Sequence, residues 1–156
     1  MDVQYKTNDK MFNCRVVGIC IKNNKFLLSR GREDNYWTFV GGKPKFGEST
    51  DETIVREYKE EVGAMLEVDR LVTIIENFFE LEGKKWHQYI FFYLLKDPNN
   101  ELKEFDGEKE ILDDERGIYK WFSFEELNSI VTKPNCLSRI IENIPNEIMH
   151  CVNRDK

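Results

Sequence analysis

Residues 15–21 open on Arg15 and continue as an apolar, β-branched run, and residues 26–28 are apolar again. The polar tetrad Lys22-Asn23-Asn24-Lys25 between them predicts a hairpin. Residues 36–40 (YWTFV) read as a third short strand. Residues 41–47 then read as a loop, because three glycines and Pro44 interrupt any regular element. A helix follows. Ser49-Thr50-Asp51-Glu52 fits a capping box, Ile54, Val55, Tyr58 and Val62 recur at helical spacing as the buried stripe, and Gly63 is the stop. Residues 71–81 and 85–95 are two longer β-rich runs around Glu82-Gly83 and predict an antiparallel pair. Residues 97–100 form a turn, residues 101–117 read as acidic loop, and residues 118–122 read as the last strand. Ser123-Phe124-Glu125-Glu126 opens a second helix bounded by Pro134, and residues 137–151 read as helical with a break near Pro145. Strands interleaved with helices give an α/β class: one domain over residues 1–156, with a mixed sheet packed between helices.

Composition narrows the function. The net charge of −6 argues against an extended nucleic-acid partner, which requires a basic face, but leaves a single nucleotide open. No apolar run reaches the length of a membrane span, and the polar start, residues 1–10, lacks a secretory pattern, so the cytoplasm is the expected address. Cys14, Cys20, Cys136 and Cys151 form no C-x-x-C pair and read as buried or incidental thiols. Homodimerisation is allowed.

The chemistry concentrates in Gly42-x5-Glu48-x7-Arg56-Glu57-Tyr58-x-Glu60-Glu61-x-Gly63-Ala64. At about 100° per residue, Glu57, Glu60 and Glu61 lie near 300°, 240° and 340° from Ile54, so three carboxylates share an arc of about 100° beside the apolar stripe. Like charges this close repel, and desolvation at a core rim sharpens the repulsion. A hard divalent cation reverses the sign, since magnesium and its kin bind carboxylate oxygens, water and substrate phosphates. Arg56, four residues before Glu60, is placed to neutralise and orient it. Glutamate runs on helices are usually solvated faces. Here seven fixed identities hold their spacing, which chance supplies on the order of once in 10⁵ chains of this make-up.

Residues 42–64 resemble the 23-residue box of the MutT/Nudix hydrolases at every fixed position. Tyr58 and Ala64 depart mildly in its apolar slots. The resemblance extends loosely through Leu27-Leu28-Ser29-Arg30, residues 37–43 and Trp121-Phe122-Ser123. It implies an α/β/α sandwich with a mixed β-sheet, a loop–helix–loop motif, and hydrolysis of a nucleoside diphosphate linked to another moiety. It further implies that Glu57, Glu60 and Glu61 ligate Mg2+ or Mn2+, that Glu57 serves as base in some members, and that Arg56 orients the acids. Glu48 would assist the metal or the loop, and the Gly41 carbonyl would add an oxygen ligand. Family members often add an acid from the loop before the last strand, where Glu115 is favoured among Glu108, Glu110, Asp113, Asp114 and Glu115.

For substrate phosphate the candidates are Arg30 and Arg32, with Arg15 a third, and the loop residues Gly42 and Lys43, where glycine lets the backbone approach closely. Trp37, Phe78, Phe79 and Trp86 are potential stacking rings, better read as core, and His87 receives no role. Subgroup marks expected about sixteen residues past the box are missing, since Glu80, Leu81 and Glu82 stand there. Nucleoside triphosphates, ordinary or modified, therefore rank first and nucleotide sugars second. The competing reading is a non-catalytic sensor of the same fold, disfavoured by the intact acids; a polyacidic metal buffer is disfavoured because no EF-hand loop is present.

Overall fold

The computed structural model describes residues 1–155 and contains two sheets. The first is mixed. It is built from β1 (Gln4–Lys6), β2 (Lys10–Ile19), β6 (Gly41–Gly42), β7 (Glu67–Leu81), β8 (Lys84–Lys96) and β11 (Met149–Arg154), in the order β1-β2-β8-β7-β11 with β6 on β2. Strands β2 and β8 run parallel, as do β7 and β11. The second sheet is antiparallel and contains β3 (Ile21–Lys22), β4 (Lys25–Gly31), β5 (Thr38–Phe39), β9 (Glu108–Ile111) and β10 (Asp114–Ser123). Helices α1 (Thr50–Glu61), α2 (Phe124–Leu127) and α3 (Leu137–Glu142) complete the chain.

Alternation along the strands divides the apolar residues between two cores. Val17, Ile19, Leu28, Phe39, Ile75 and Phe92 pack with Leu137 and Ile140 of α3. Val16, Leu27, Leu95 and Trp121 pack with Ile54 and Tyr58 of α1. Adjacent residues thus feed opposite faces, as a period of two requires, and each face buries its apolar side chains under a helix. This is the α/β/α arrangement.

Helix α1 starts as predicted: the Glu52 carboxylate accepts from the Ser49 backbone N–H at 2.9 Å and its hydroxyl at 2.8 Å. Gly63 leaves the helix at φ +78°, where glycine carries no steric penalty. The buried stripe is rotated from the one expected. Thr53, Ile54, Glu57 and Tyr58 are buried, whereas Val55 and Val62 are only half-buried. Tyr58 fits because Gly18 has no side chain: a Cβ there would lie 2.6 Å from the Tyr58 ring, and the Tyr58 hydroxyl donates to the Gly18 carbonyl at 2.9 Å. The β7–β8 pair and the 97–100 turn also follow the sequence reading.

Other expectations need correction. The 15–21 run is broken at Cys20, where the chain crosses from one sheet to the other, and only Thr38–Phe39 of residues 36–40 are strand. Gly41 and Gly42 pair with Val17 and Val16 rather than looping free. Glycine permits the approach, since a Cβ on Gly41 would lie 2.0 Å from the Val16 carbonyl oxygen. The acidic segment 101–117 holds β9 and the start of β10, with Leu102 and Ile111 buried while Glu108 and Glu110 face solvent. Residues 118–122 are not the last strand. The tail stops being helical at Glu142 and ends in β11, whose exposure alternates residue by residue.

A row of amides crosses the mixed sheet in register, from Asn13 through Gln88 and Asn77 to Asn153. Gln88 donates to Asn13 at 2.9 Å, Asn77 to Gln88 at 3.3 Å and Asn153 to Asn77 at 2.8 Å.

Candidate active site

Strand β6 carries its glycine pair along the edge of β2, and α1 lies across that edge. The Glu57 carboxyl group sits where a Gly42 side chain would be: a Cβ on Gly42 would fall 2.3 Å from its Cδ. The three-residue spacing then directs Glu60 outward, and Glu61 returns toward the rim, so Glu57 is buried, Glu60 exposed and Glu61 half-buried.

Arg56 gathers the acids. Its Nε and Nη2 hold Glu48 through two parallel bonds of 2.6 and 2.9 Å, and its Nη1 donates to Glu57 at 2.8 Å and Glu60 at 2.9 Å. Nη2 also reaches the Lys43 carbonyl at 3.2 Å. Glu48 is further fixed by the Thr53 hydroxyl at 2.9 Å and the Lys45 N–H at 3.0 Å. The fork-to-carboxylate pairing is the strong form of this interaction. It holds the Glu48 carboxyl down at about 2, and the carboxylates in turn push Arg56 above its ordinary range.

Burial acts the other way on the next two acids. It raises Glu57, partly offset by its bond to Arg56 and then by the charge of Arg15. It raises Glu61 to about 8, a shift that Arg15 opposes and that Glu57, Asp113 and Asp114 reinforce. Burial thus works against ionisation at Glu57 and Glu61 while Arg56 keeps Glu48 ionised, opposing shifts of the kind found at charge-poised sites.

The possible donors to a cation are the Glu57, Glu60 and Glu61 carboxylates and the Gly41 carbonyl. They are oxygens alone, which suits a hard ion such as magnesium or manganese and not a zinc-type site. Among the described residues no three acids already stand grouped to hold a metal ion. Glu57 and Glu60 turn instead to Arg56, together with Glu48.

The remaining sequence candidates divide. Gly42 packs on Glu57, and Lys43 lends its carbonyl to Arg56 while its Nζ meets Gln4 at 3.0 Å and Asp2 at 3.3 Å. Arg30 is engaged elsewhere, donating to the Asp34 carbonyl at 2.7 Å and lying 5.0 Å over the Trp37 ring. Arg32 pairs with Glu110 and donates to the Glu115 carbonyl. The structure joins neither arginine to the acidic rim. Arg15, the third candidate, is beside it, with Nη2 donating to the Gly41 carbonyl at 3.2 Å.

The β9–β10 turn, which carries Asp113 and Asp114 just before Glu115, reaches the rim at the end of α1. The Leu112 N–H donates to the Glu61 carbonyl at 2.9 Å and brings that turn to the end of α1, while Asp114 is itself engaged by Arg116. Thr53 was missed entirely; its burial beneath Glu48 follows from the rotated helix face. Trp37 is core, as expected. Phe78 stacks on His87 at 4.3 Å and Phe79 on Trp86 at 5.3 Å, all half-buried on the mixed sheet.

The NUDIX domain profile matches residues 13–143. Over 116 residues, 72% of this chain and 78% of the relative, the sequence is 31% identical to an 8-oxo-dGTP diphosphatase of Buchnera aphidicola. The fold is similar to that of a MutT protein from Methanosarcina mazei, with TM-score 0.59 and 21% identity over 89% of this chain and 96% of that one. It is also similar to an ADP-ribose pyrophosphatase from Streptococcus suis, with TM-score 0.53 and 16% identity over 90% and 98%. Among the described residues, no helix is long and apolar enough to cross a membrane.

Proposed function

The chain belongs to the Nudix family and is a Nudix pyrophosphohydrolase, and on that premise we propose that its substrate is a nucleoside triphosphate, ordinary or modified, cleaved with Mg2+ or Mn2+. The observation that carries the site assignment is the Arg56 hub. One guanidinium holds Glu48, Glu57 and Glu60 within 2.6–2.9 Å, beside a glycine pair whose Gly41 carbonyl accepts from Arg15. The substrate class is supported by the relative named for 8-oxo-dGTP and by the missing subgroup marks at Glu80, Leu81 and Glu82.

The chemistry follows from charge. A diphosphate repels nucleophiles because its oxygens are anionic; bound cations supply shielding and acidify water. Glu57, Glu60, Glu61 and the Gly41 carbonyl would hold them. Glu57, buried and raised in pKa, is suited to accept a proton from the attacking water once the site is charged. Arg56 and Glu48 keep the ligand row from rotating away, a positioning role. Gly42 and Lys43 line the approach of phosphate to the loop.

The test is a panel of nucleoside triphosphates, nucleotide sugars, dinucleotides and coenzymes assayed with each metal for phosphate or diphosphate release. Triphosphates should turn over fastest. Turnover of nucleotide sugars alone would overturn the substrate class, and no turnover at all would favour the sensor reading. Glu60→Gln should lower the rate at least about a hundredfold with the fold intact, since it removes a charged ligand from an electrostatic site.

A further inference from the structure

Two arginines attend the acidic rim, and they are held in opposite ways. Arg56 is saturated, its three nitrogens bonded to three carboxylates and a carbonyl. Arg15 is half-buried and makes one hydrogen bond, from Nη2 to the Gly41 carbonyl at 3.2 Å. Among the described residues it has no ion-pair partner within 4.0 Å. The carbonyl it holds belongs to the residue before Gly42, against which the Glu57 carboxyl packs. The register of β2 against β6 sets this up, placing Arg15 one residue from the Val16–Gly42 pair.

A guanidinium in this position is locked to no acid, and the one oxygen it holds, the Gly41 carbonyl, is among those a divalent cation would use. Resting on the ligand assignment above, we propose that Arg15 is an internal counter-ion that competes with the divalent cation for this rim and gives way when one binds. The contest is one of charge. Bringing a dication next to a fixed guanidinium is unfavourable, so Arg15 must swing off the Gly41 carbonyl or weaken the cation's hold. Only one hydrogen bond retains it, and its long stem permits the movement. Arg15 thereby keeps the nucleotide-free protein a weak metal binder and favours retention of the cation together with an anionic substrate.

The test is Mn2+ titration of the whole chain without nucleotide, followed by electron paramagnetic resonance. Arg15→Gln should tighten Mn2+ binding about tenfold, the effect of removing a unit charge a few ångströms from a dication in a solvent-like dielectric. Arg15→Lys, which keeps the charge, should stay within about twofold of the native value. Unchanged or weaker binding in Arg15→Gln would overturn the proposal and make the residue a structural tether. Should that variant fail to fold, Arg15→Met, which retains the aliphatic stem, carries the same expectation. Glu57→Gln separates the two layers of the argument. If it binds Mn2+ as the native chain does, the ligand assignment fails; if it loses binding while Arg15→Gln changes nothing, only the counter-ion role fails.

Discussion

Replacing Gly42 by alanine probes the site through packing alone. The added methyl would stand 2.3 Å from Cδ and Oε1 of Glu57 and 2.5 Å from its Oε2. Ordinary van der Waals contact begins near 3.4 Å, so the carboxylate must retreat by about 1 Å. It has little freedom to do so. Glu57 is 8% exposed and bonded to Arg56 at 2.8 Å, and Arg56 cannot follow without disturbing Glu48 and Glu60. Overpacking of this kind costs about 1–3 kcal/mol, which for a chain of this size lowers Tm by roughly 3–10 °C. A misplacement of about 1 Å in a reacting constellation costs roughly a hundredfold in rate. Gly42→Ala should therefore fold, lose about two orders of magnitude in kcat/KM, and bind Mn2+ more weakly. The control is Gly83→Ala in the β7–β8 turn, where φ is +72° and nothing lies within 4 Å of the new methyl. That change strains the backbone but leaves the site alone, so stability should drop by about 1–2 kcal/mol with activity intact. A folded Gly42→Ala enzyme with native kcat/KM and native Mn2+ affinity would refute the placement of Glu57 as a working ligand.

Two further outcomes concern pH. Because Arg56 holds Glu48 down at about 2, ionised Glu48 contributes stability that is complete above its unfolded value of about 4.5 and is lost as pH falls toward 2. Urea denaturation should accordingly show Glu48→Gln well below the native chain at pH 7, with the gap narrowed by more than half at pH 3 and closing toward pH 2. Glu61 has the opposite sign: with its pKa raised to about 8, the folded metal-free protein holds a proton that the unfolded chain has released, so its contribution falls as pH rises from about 4.5 to 8. Scanning Tm from pH 5 to 9, Mg2+ should stabilise the native chain increasingly toward pH 8, as cation binding expels that proton. Glu61→Gln should flatten the metal-free profile and remove most of the Mg2+ effect; a Mg2+ stabilisation independent of pH would count against Glu61 as a ligand.

The helix of glutamates was legible because everything that fixes it is local: a capping box, a three-to-four-residue period and a glycine stop. Arg15 was harder to place, since its bond to Gly41 spans 26 residues and depends on a glycine pair joining a strand edge. The loop acid is hard to fix for a related reason. Counting back from Trp121 favours Glu115, but the β9–β10 pairing shifts register between Asp114 and Ile118, and the Leu112 N–H ties the turn before it to the Glu61 carbonyl, so sequence distance from Trp121 does not set which acid faces the rim. Strand β9 was hidden by its own composition, since Glu108, Lys109 and Glu110 are all exposed and only Ile111 is buried. Strand β11 was hidden by its polarity too, with Asn153 on the inner face where a hydrophobic residue is expected.

That asparagine closes the amide row, and the row works as a key. Leucines facing leucines tolerate a strand shifted by two residues, because one oily pair resembles the next. Amides do not: sliding β11 by a single pair along β7 would set Asn153 against Ile75 or Phe79 in place of Asn77. Asn13, Gln88 and Asn77 are nearly sealed from water, so their hydrogen bonds are costly to leave unmade. The strand that closes the row thus has one low-energy seat, set by the amide that β7 presents to it.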